Sequence, residues 1–181
     1  MKLFDALIGS ELEGSALVVK EIWIANRSDG LPDPTSPASP IRGRGTATNP
    51  FDGGTPAKFD HVLRIFATTY MTIRLGPGLF RTLGGNASDH FGAWVPKSGQ
   101  RIVGSGMFQT KLQLVVQATE DWDDQGYAVI GATEGVPIDG FEISDLTLDA
   151  NLHRQPLRTD ADATRPNIVC AGLQFLNAKN T

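Results

Sequence analysis

Few residues in this chain have the type and spacing to do chemistry. Asp145 and Asp149 flank the apolar pair Leu146 and Leu148. One reading is an outward carboxylate pair for a metal ion or a sugar. The structural reading is corner chemistry, because Asp bonds nearby backbone amides readily, and it carries more weight. Glu120, Asp121, Asp123 and Asp124 crowd one acidic stretch. They lack the spacing and the glycine of a calcium loop, so a solvated loop is the favoured reading. Trp122 and Tyr127 lie beside them and could stack on a sugar ring, although anchoring a core or a loop is the commoner use of such side chains; Trp94 has the same two readings. Arg154 and Arg158 fall in an excursion from Leu152 to Pro166 and could meet an acidic sugar, with a charged loop as the plainer alternative. His61 is expected on an exposed helix face. His90 and His153 share no motif, so no metal site is indicated. Cys170 is the single cysteine, which excludes an intrachain disulfide. It is expected to pack inward as a small apolar residue.

The bulk properties narrow the partners. The 181 residues carry a formal net charge of -4, which leaves no basic footprint for nucleic acid and no polybasic signal for an anionic membrane. No segment approaches the roughly 20 apolar residues that span a bilayer. The opening Met1–Ile8 is too short an apolar run for a signal peptide, and Asp5, Glu11 and Glu13 interrupt it.

The elements that must position these residues follow from local pattern. Leu3, Phe4, Leu7, Ile8 and Leu12 are near helical spacing, and residues 16–25 read as a strand. Residues 26–54 hold Pro32, Pro34, Pro37, Pro40 and Pro50 with no hydrophobic period, which predicts a long irregular loop that is either mobile or functional. Thr55 and Pro56 suit the cap and first position of a helix. Phe59, Val62, Leu63 and Phe66 give it one apolar stripe, and it should run to about Thr69. The period then changes to two. Strands are expected at Ile73–Leu75, after the turn Gly76-Pro77-Gly78, at residues 101–104, 111–116 and 127–130.

The region 141–175 is the most informative. Phe141 and Ile143 alternate, the alternation slips by one at Ser144-Asp145, and it resumes at Leu146 and Leu148. A straight strand cannot do this, because its side chains alternate strictly between faces, so the slip marks a sharp corner. Ile168, Cys170, Leu173 and Phe175 repeat the pattern 27 positions later. A fixed period in this range signals stacked coils, and stacking them in parallel builds one continuous core. Ile73, Leu75 and Phe80 fit an earlier coil, and Ile102 and Met107 another, at intervals of 29 and then 41 from Ile73 to Ile102 to Ile143. Asn151 and Asn177 are candidates for a ladder of stacked amides. The helix at 55–69 is placed to cap the open end of the stack.

The stretch from Thr72 to Thr82, TIRLGPGLFRT, resembles the opening of pectate-lyase-like β-helix proteins: an apolar strand, a proline-glycine turn, an aromatic and an arginine-threonine pair. Lys97–Met107 resembles their next coil, and Ile143–Asn151 their recurrent coil ending in Asp-x-Asn. Residues 26–60, with Asn49-Pro50-Phe51-Asp52-Gly53, are similar to the lead-in of bacterial members. The resemblance covers roughly residues 22–181. It implies an all-β, right-handed parallel β-helix with an N-terminal amphipathic capping helix. Residues 1–54 would be the lead-in and 55–181 the helix and first coils of a single domain. The expectation is that the fold is incomplete, with further coils following, because only two well-matched coils exist and the chain ends just after the second.

Fold alone does not license a function. The resemblance implies an extracellular or cell-surface protein that acts on or binds polysaccharide as a lyase or hydrolase, with its catalytic residues beyond this segment. A lyase of that kind would call on Ca2+; no cofactor is evident in the segment itself. The Asn-Thr-Asp, Asp-Asp and Gly-His-Gly signatures of the pectin-hydrolase branch do not occur, since nothing around Asp123-Asp124 matches. The alternative is a non-catalytic structural or adhesive β-helix. The substrate contacts to test are Trp122, Tyr127, Asp145, Asp149 and Arg154.

Overall fold

A computed structural model describes residues 20–27, 29–83, 95–115, 127–132, 138–155 and 170–175. They are mostly strand, with one helix. In chain order the elements are β1 (Lys20–Ala25), β2 (Phe51–Asp52), α1 (Pro56–Phe66), β3 (Met71–Leu75), β4 (Gly78–Thr82), β5 (Arg101–Val103), β6 (Thr110–Leu114), β7 (Tyr127–Ala132), β8 (Glu142–Ser144), β9 (Thr147–Asp149) and β10 (Cys170–Phe175). Every pairing between these strands is parallel. One sheet has the order β2-β1-β3-β5-β8, a second β4-β6-β9, and a third pairs β10 with β7.

The chain therefore visits the sheets in a fixed rotation, β5 to β6 to β7 and again β8 to β9 to β10, in a solenoid-like arrangement. Like residues stack as a result. Ile22, Ile73, Ile102 and Ile143 form one column in the five-stranded sheet. Phe80, Leu112 and Leu148 form another in the three-stranded sheet. Ile73, Ile102, Phe80 and Leu112 are completely or almost completely buried, and each such side chain contributes about 1.5–3 kcal/mol of hydrophobic stabilisation. Phe141, Ile143, Leu146 and Leu148, on the last described pass, are only partly buried.

The corners are tight. Asp145 turns the chain from β8 to β9 at φ 56, the one-residue slip read in the sequence. Gly106 N donates to Asp145 O, and Thr147 Oγ1 to Met107 O, so successive corners are tied to one another. Asn151 Nδ2 donates to the backbone carbonyl of Leu114 on the pass before; Asn177, the other member of the expected amide ladder, lies outside the described residues.

The 27-residue equivalence does not survive. Ile143 stacks on Ile102, whereas Cys170 pairs with Tyr127 in a different sheet. The physical reason is that each pass turns more than one corner. β8, β9 and β10 are three sides of one pass, so Ile143 and Cys170 lie on different sides of it, and the second slip, at Ala171-Gly172, falls inside the continuous strand β10 rather than at a corner. Met107 is also not the inward residue of its pass; it is 58 % exposed in the turn before β6, and Leu112 takes the inward place. Of Cys170, the backbone alone is described.

Helix α1 begins as its sequence requires. Thr55 Oγ1 accepts from Lys58 N at 3.3 Å, and Pro56 takes the first position, where no amide hydrogen is needed. The helix ends at Phe66, three residues early, because Ala67 is extended and donates its N–H to Leu63 O. It packs against β4 and β2, with the Phe59 and Phe80 rings 5.5 Å apart and Phe51 stacked on Phe66 at 4.4 Å. It thus covers the first strand of the three-stranded sheet, while β1 and β2 extend the five-stranded one. His61 is buried, with Nε2 3.3 Å from Ser39 O, which corrects the expectation of an exposed histidine. It faces the proline-rich segment, which folds back over the helix instead of leaving that face to water.

That segment is neither loose nor featureless. It contributes the short strand β2, and Gly45 O accepts from Trp23 N at the edge of β1. Asp52 N donates to Arg42 O and Arg42 Nη1 to Asp29 O. Beneath it, Lys58 Nζ lies 2.5 Å from Asp29 and 3.3 Å from Asp52, all three side chains being nearly inaccessible. Burial works against both charges in the Lys58–Asp29 pair, but the mutual contacts prevail: Asp29 is held below the usual carboxylate range and Lys58 above its ordinary value.

Candidate functional site

The outer face of the five-stranded sheet carries a grouping of exposed polar and aromatic side chains drawn from β1, β3, β5 and β8. In β1 the inward residues are Ile22 and Ile24, so alternation sends Glu21 and Trp23 outward. In β3, Arg74 lies between the buried Ile73 and Leu75. Arg101 and Glu142 flank the Ile102–Ile143 column on β5 and β8. The register sets these residues in two rows across the strands: Glu21, Thr72, Arg101 and Glu142 in one, and Trp23, Arg74, Val103 and Ser144 in the other.

Glu21 organises one end of this face. Its carboxylate accepts from Trp23 Nε1 at 2.6 Å and from Arg74 Nε at 2.6 Å. The Arg74 guanidinium lies over the Trp23 ring, 5.6 Å from its centre. Arg101 and Glu142 pair at 2.8 Å, each about half exposed. Exposed pairs of this sort stabilise by less than about 1 kcal/mol. They leave the guanidinium groups, with five donors apiece, at a surface that a ligand can reach.

The spacing decides against glycoside cleavage by this face alone. Glu21 and Glu142 share a row but are three strand steps apart, or about 14 Å at about 4.8 Å per step. Retaining and inverting hydrolases need carboxylates within about 5–9.5 Å. Asp29 and Asp52 are closer together, through Lys58, but they are buried where no polymer reaches. Among the described residues, no group of three His, Cys, Asp or Glu side chains could hold a metal ion.

The residues singled out in the sequence lie elsewhere. Asp149 is in β9, on the outer side of the three-stranded sheet. Gln113 Nε2 donates to it at 2.9 Å, Asn151 N at 2.8 Å, and Lys111 Nζ is 3.3 Å away. Partial burial favours its protonated form, but these donors outweigh burial and hold the carboxyl below its ordinary value. Asp145 is exposed at its corner, and Arg154 is exposed on the single 3-10 turn Leu152–Arg154 that follows β9. Asp149 is thus held by Gln113 and Lys111 of β6 and by the backbone of Asn151. Tyr127 opens β7, and only its backbone is described; Trp122 lies outside the described residues. The Glu21–Trp23–Arg74 group was missed in the sequence, although the strict alternation of Glu-Ile-Trp-Ile over 21–24 shows both outward residues.

The chain is similar to two curated proteins of Azotobacter vinelandii. Alginate lyase 7 is 40% identical over 81 residues, covering 44% of this chain and 9% of that protein. Mannuronan C5-epimerase AlgE2 is 35% identical over 80 residues, covering 44% of this chain and 8% of that protein. The matched stretch thus spans less than a tenth of either relative. No family model and no solved structure matches.

Proposed function

We propose that this chain forms the first coils of a right-handed parallel β-helix, and that the protein it belongs to binds or acts on an acidic, uronate-type polysaccharide. The observation that carries this is the similarity to two enzymes whose names specify alginate and mannuronan. The three parallel sheets visited in rotation support the architecture. The outer face of the five-stranded sheet supports the binding role, since it sets two partly exposed arginines, Arg74 and Arg101, where carboxylates can reach them. In this proposal the residues that break or epimerise bonds lie outside the described face, and further coils cover the half-buried apolar side chains of the last pass.

The test is titration of the 181-residue chain with polymannuronate, polyguluronate, pectate and a neutral glucan at two salt concentrations. Binding of the acidic polymers should exceed that of the neutral one and weaken as salt rises. Arg74→Ala and Arg101→Ala should each reduce it. Equal affinity for the neutral glucan, or indifference to both substitutions, would remove this face from the function. Binding without turnover by a longer chain would favour an adhesive protein over an enzyme.

A further inference from the structure

Three turns lead into the strands of the five-stranded sheet, and they stack in register. Thr72, Arg101 and Glu142 are neighbours across β3, β5 and β8, so the residues two places earlier, Tyr70, Gly99 and Gly140, form a column of their own. All three have positive φ, at 51, 69 and 67°. Hydrogen bonds fix the stack: Tyr70 N donates to Ser98 O at 3.0 Å and Gly99 N to Asp139 O at 2.8 Å.

Glycine fills this position at no steric cost on two passes, yet tyrosine fills it on the first. A left-handed backbone disfavours an L-residue with a β-carbon, and tyrosine has no short polar side chain to offset that. The ring is not recovered by the core either, because Tyr70 is 63% exposed. One side of it lies against Gly99, where an added β-carbon would come within 2.3 Å of a ring atom. Beyond Gly99 the surface stays low, since only the Gly99 α-carbon is near a β-carbon placed on Gly140. A largely exposed aromatic therefore stands against the bare backbone of Gly99. It lies about 7 Å along the strands from the row holding Arg101 and Glu142. Ser98 and the exposed Asp139 add hydrogen-bonding groups at its margin.

We propose that Tyr70 is a stacking platform for a pyranose ring of the bound polysaccharide, set at the strand-entry margin of the five-stranded sheet. The inference rests on the polysaccharide reading above. A flat aromatic backed by backbone presents its open face to the C–H groups of a sugar ring, with a polar rim for the hydroxyls. The strain in the backbone is the sign that the side chain serves something other than the fold, which glycine serves better here.

Oligomannuronates of defined length are the probes, titrated against the wild-type chain, Tyr70→Phe and Tyr70→Gly. Tyr70→Phe should bind as wild type does. Tyr70→Gly should lose affinity by roughly three- to tenfold, while its thermal stability equals or exceeds that of wild type. If Tyr70→Gly binds unchanged, or loses stability in step with binding, the platform is overturned and the polysaccharide reading stands. If the wild-type chain binds no oligomannuronate, both fall together.

Discussion

Asp60 gives the sharpest test of the packing between α1 and the strands. It is 2% exposed, and its carboxylate accepts from Thr82 Oγ1 at 2.7 Å and from Leu83 N at 2.8 Å. Burial pushes the carboxyl up from 3.8 to about 7, against the pull of these two donors and of Arg64. The folded chain therefore holds this proton more tightly than the unfolded chain does. Its contribution to stability is complete below pH 3.8, declines as pH rises, and is gone above about 7. At about 1.36 kcal/mol per pH unit, the span amounts to at most about 4 kcal/mol. Asp60→Asn mimics the protonated form: its carbonyl accepts from Leu83 N, and its amide donates to the Thr82 hydroxyl. Urea unfolding of both proteins between pH 4 and 8 isolates the effect, because other carboxylates cancel in the difference. Wild type should lose about 2–4 kcal/mol relative to Asp60→Asn across this range. A difference that is flat, or that moves the other way, would refute the reasoning.

Three further outcomes are expected. Lys58→Met strands Asp29 and Asp52 beneath the proline-rich segment and should cost about 2–3 kcal/mol by chemical denaturation, with part regained when Asp29→Asn is added. Gly99→Ala, at φ 69 and in conflict with the Tyr70 ring, should cost about 2 kcal/mol alone and about 1 kcal/mol in a Tyr70→Gly background, so a double-mutant cycle with no coupling would contradict the stacked turns. The partly buried Phe141, Ile143, Leu146 and Leu148 should drive self-association of the isolated 181 residues, and a sharp monomer by light scattering at high concentration would count against uncovered coils.

What the sequence disclosed was governed by local rules. Thr55 and Pro56 announce the helix start because capping is decided within one turn. The slip at Ser144-Asp145 announces a corner because alternation cannot change phase on a straight strand. Relations between passes were harder to see. The column Ile73, Ile102, Ile143, read at intervals of 29 and 41, is the one the register bears out, whereas the equal 27-residue spacing to Cys170 joined two different sheets. His61 was misjudged because nothing local shows that residues near Ser39 return over the helix. Of the candidate face, Glu21 and Trp23 were legible from alternation, but their link to Arg74 depends on the β1–β3 register. The Tyr70 column is likewise invisible until the passes are aligned, since an isolated tyrosine before a strand carries no signal of its own.

The closure of β1 by β2 and by the Gly45 carbonyl has a consequence for assembly. Parallel strands fold slowly because each must find a partner distant in sequence. A ribosome delivers this end first. Once α1 and the proline-rich segment have closed over β4 and β1, later strands of the five- and three-stranded sheets add on the opposite side. The covered edge then acts as a ratchet: it disfavours pairing backwards across β1 with another chain and leaves the five-stranded sheet to lengthen past β8.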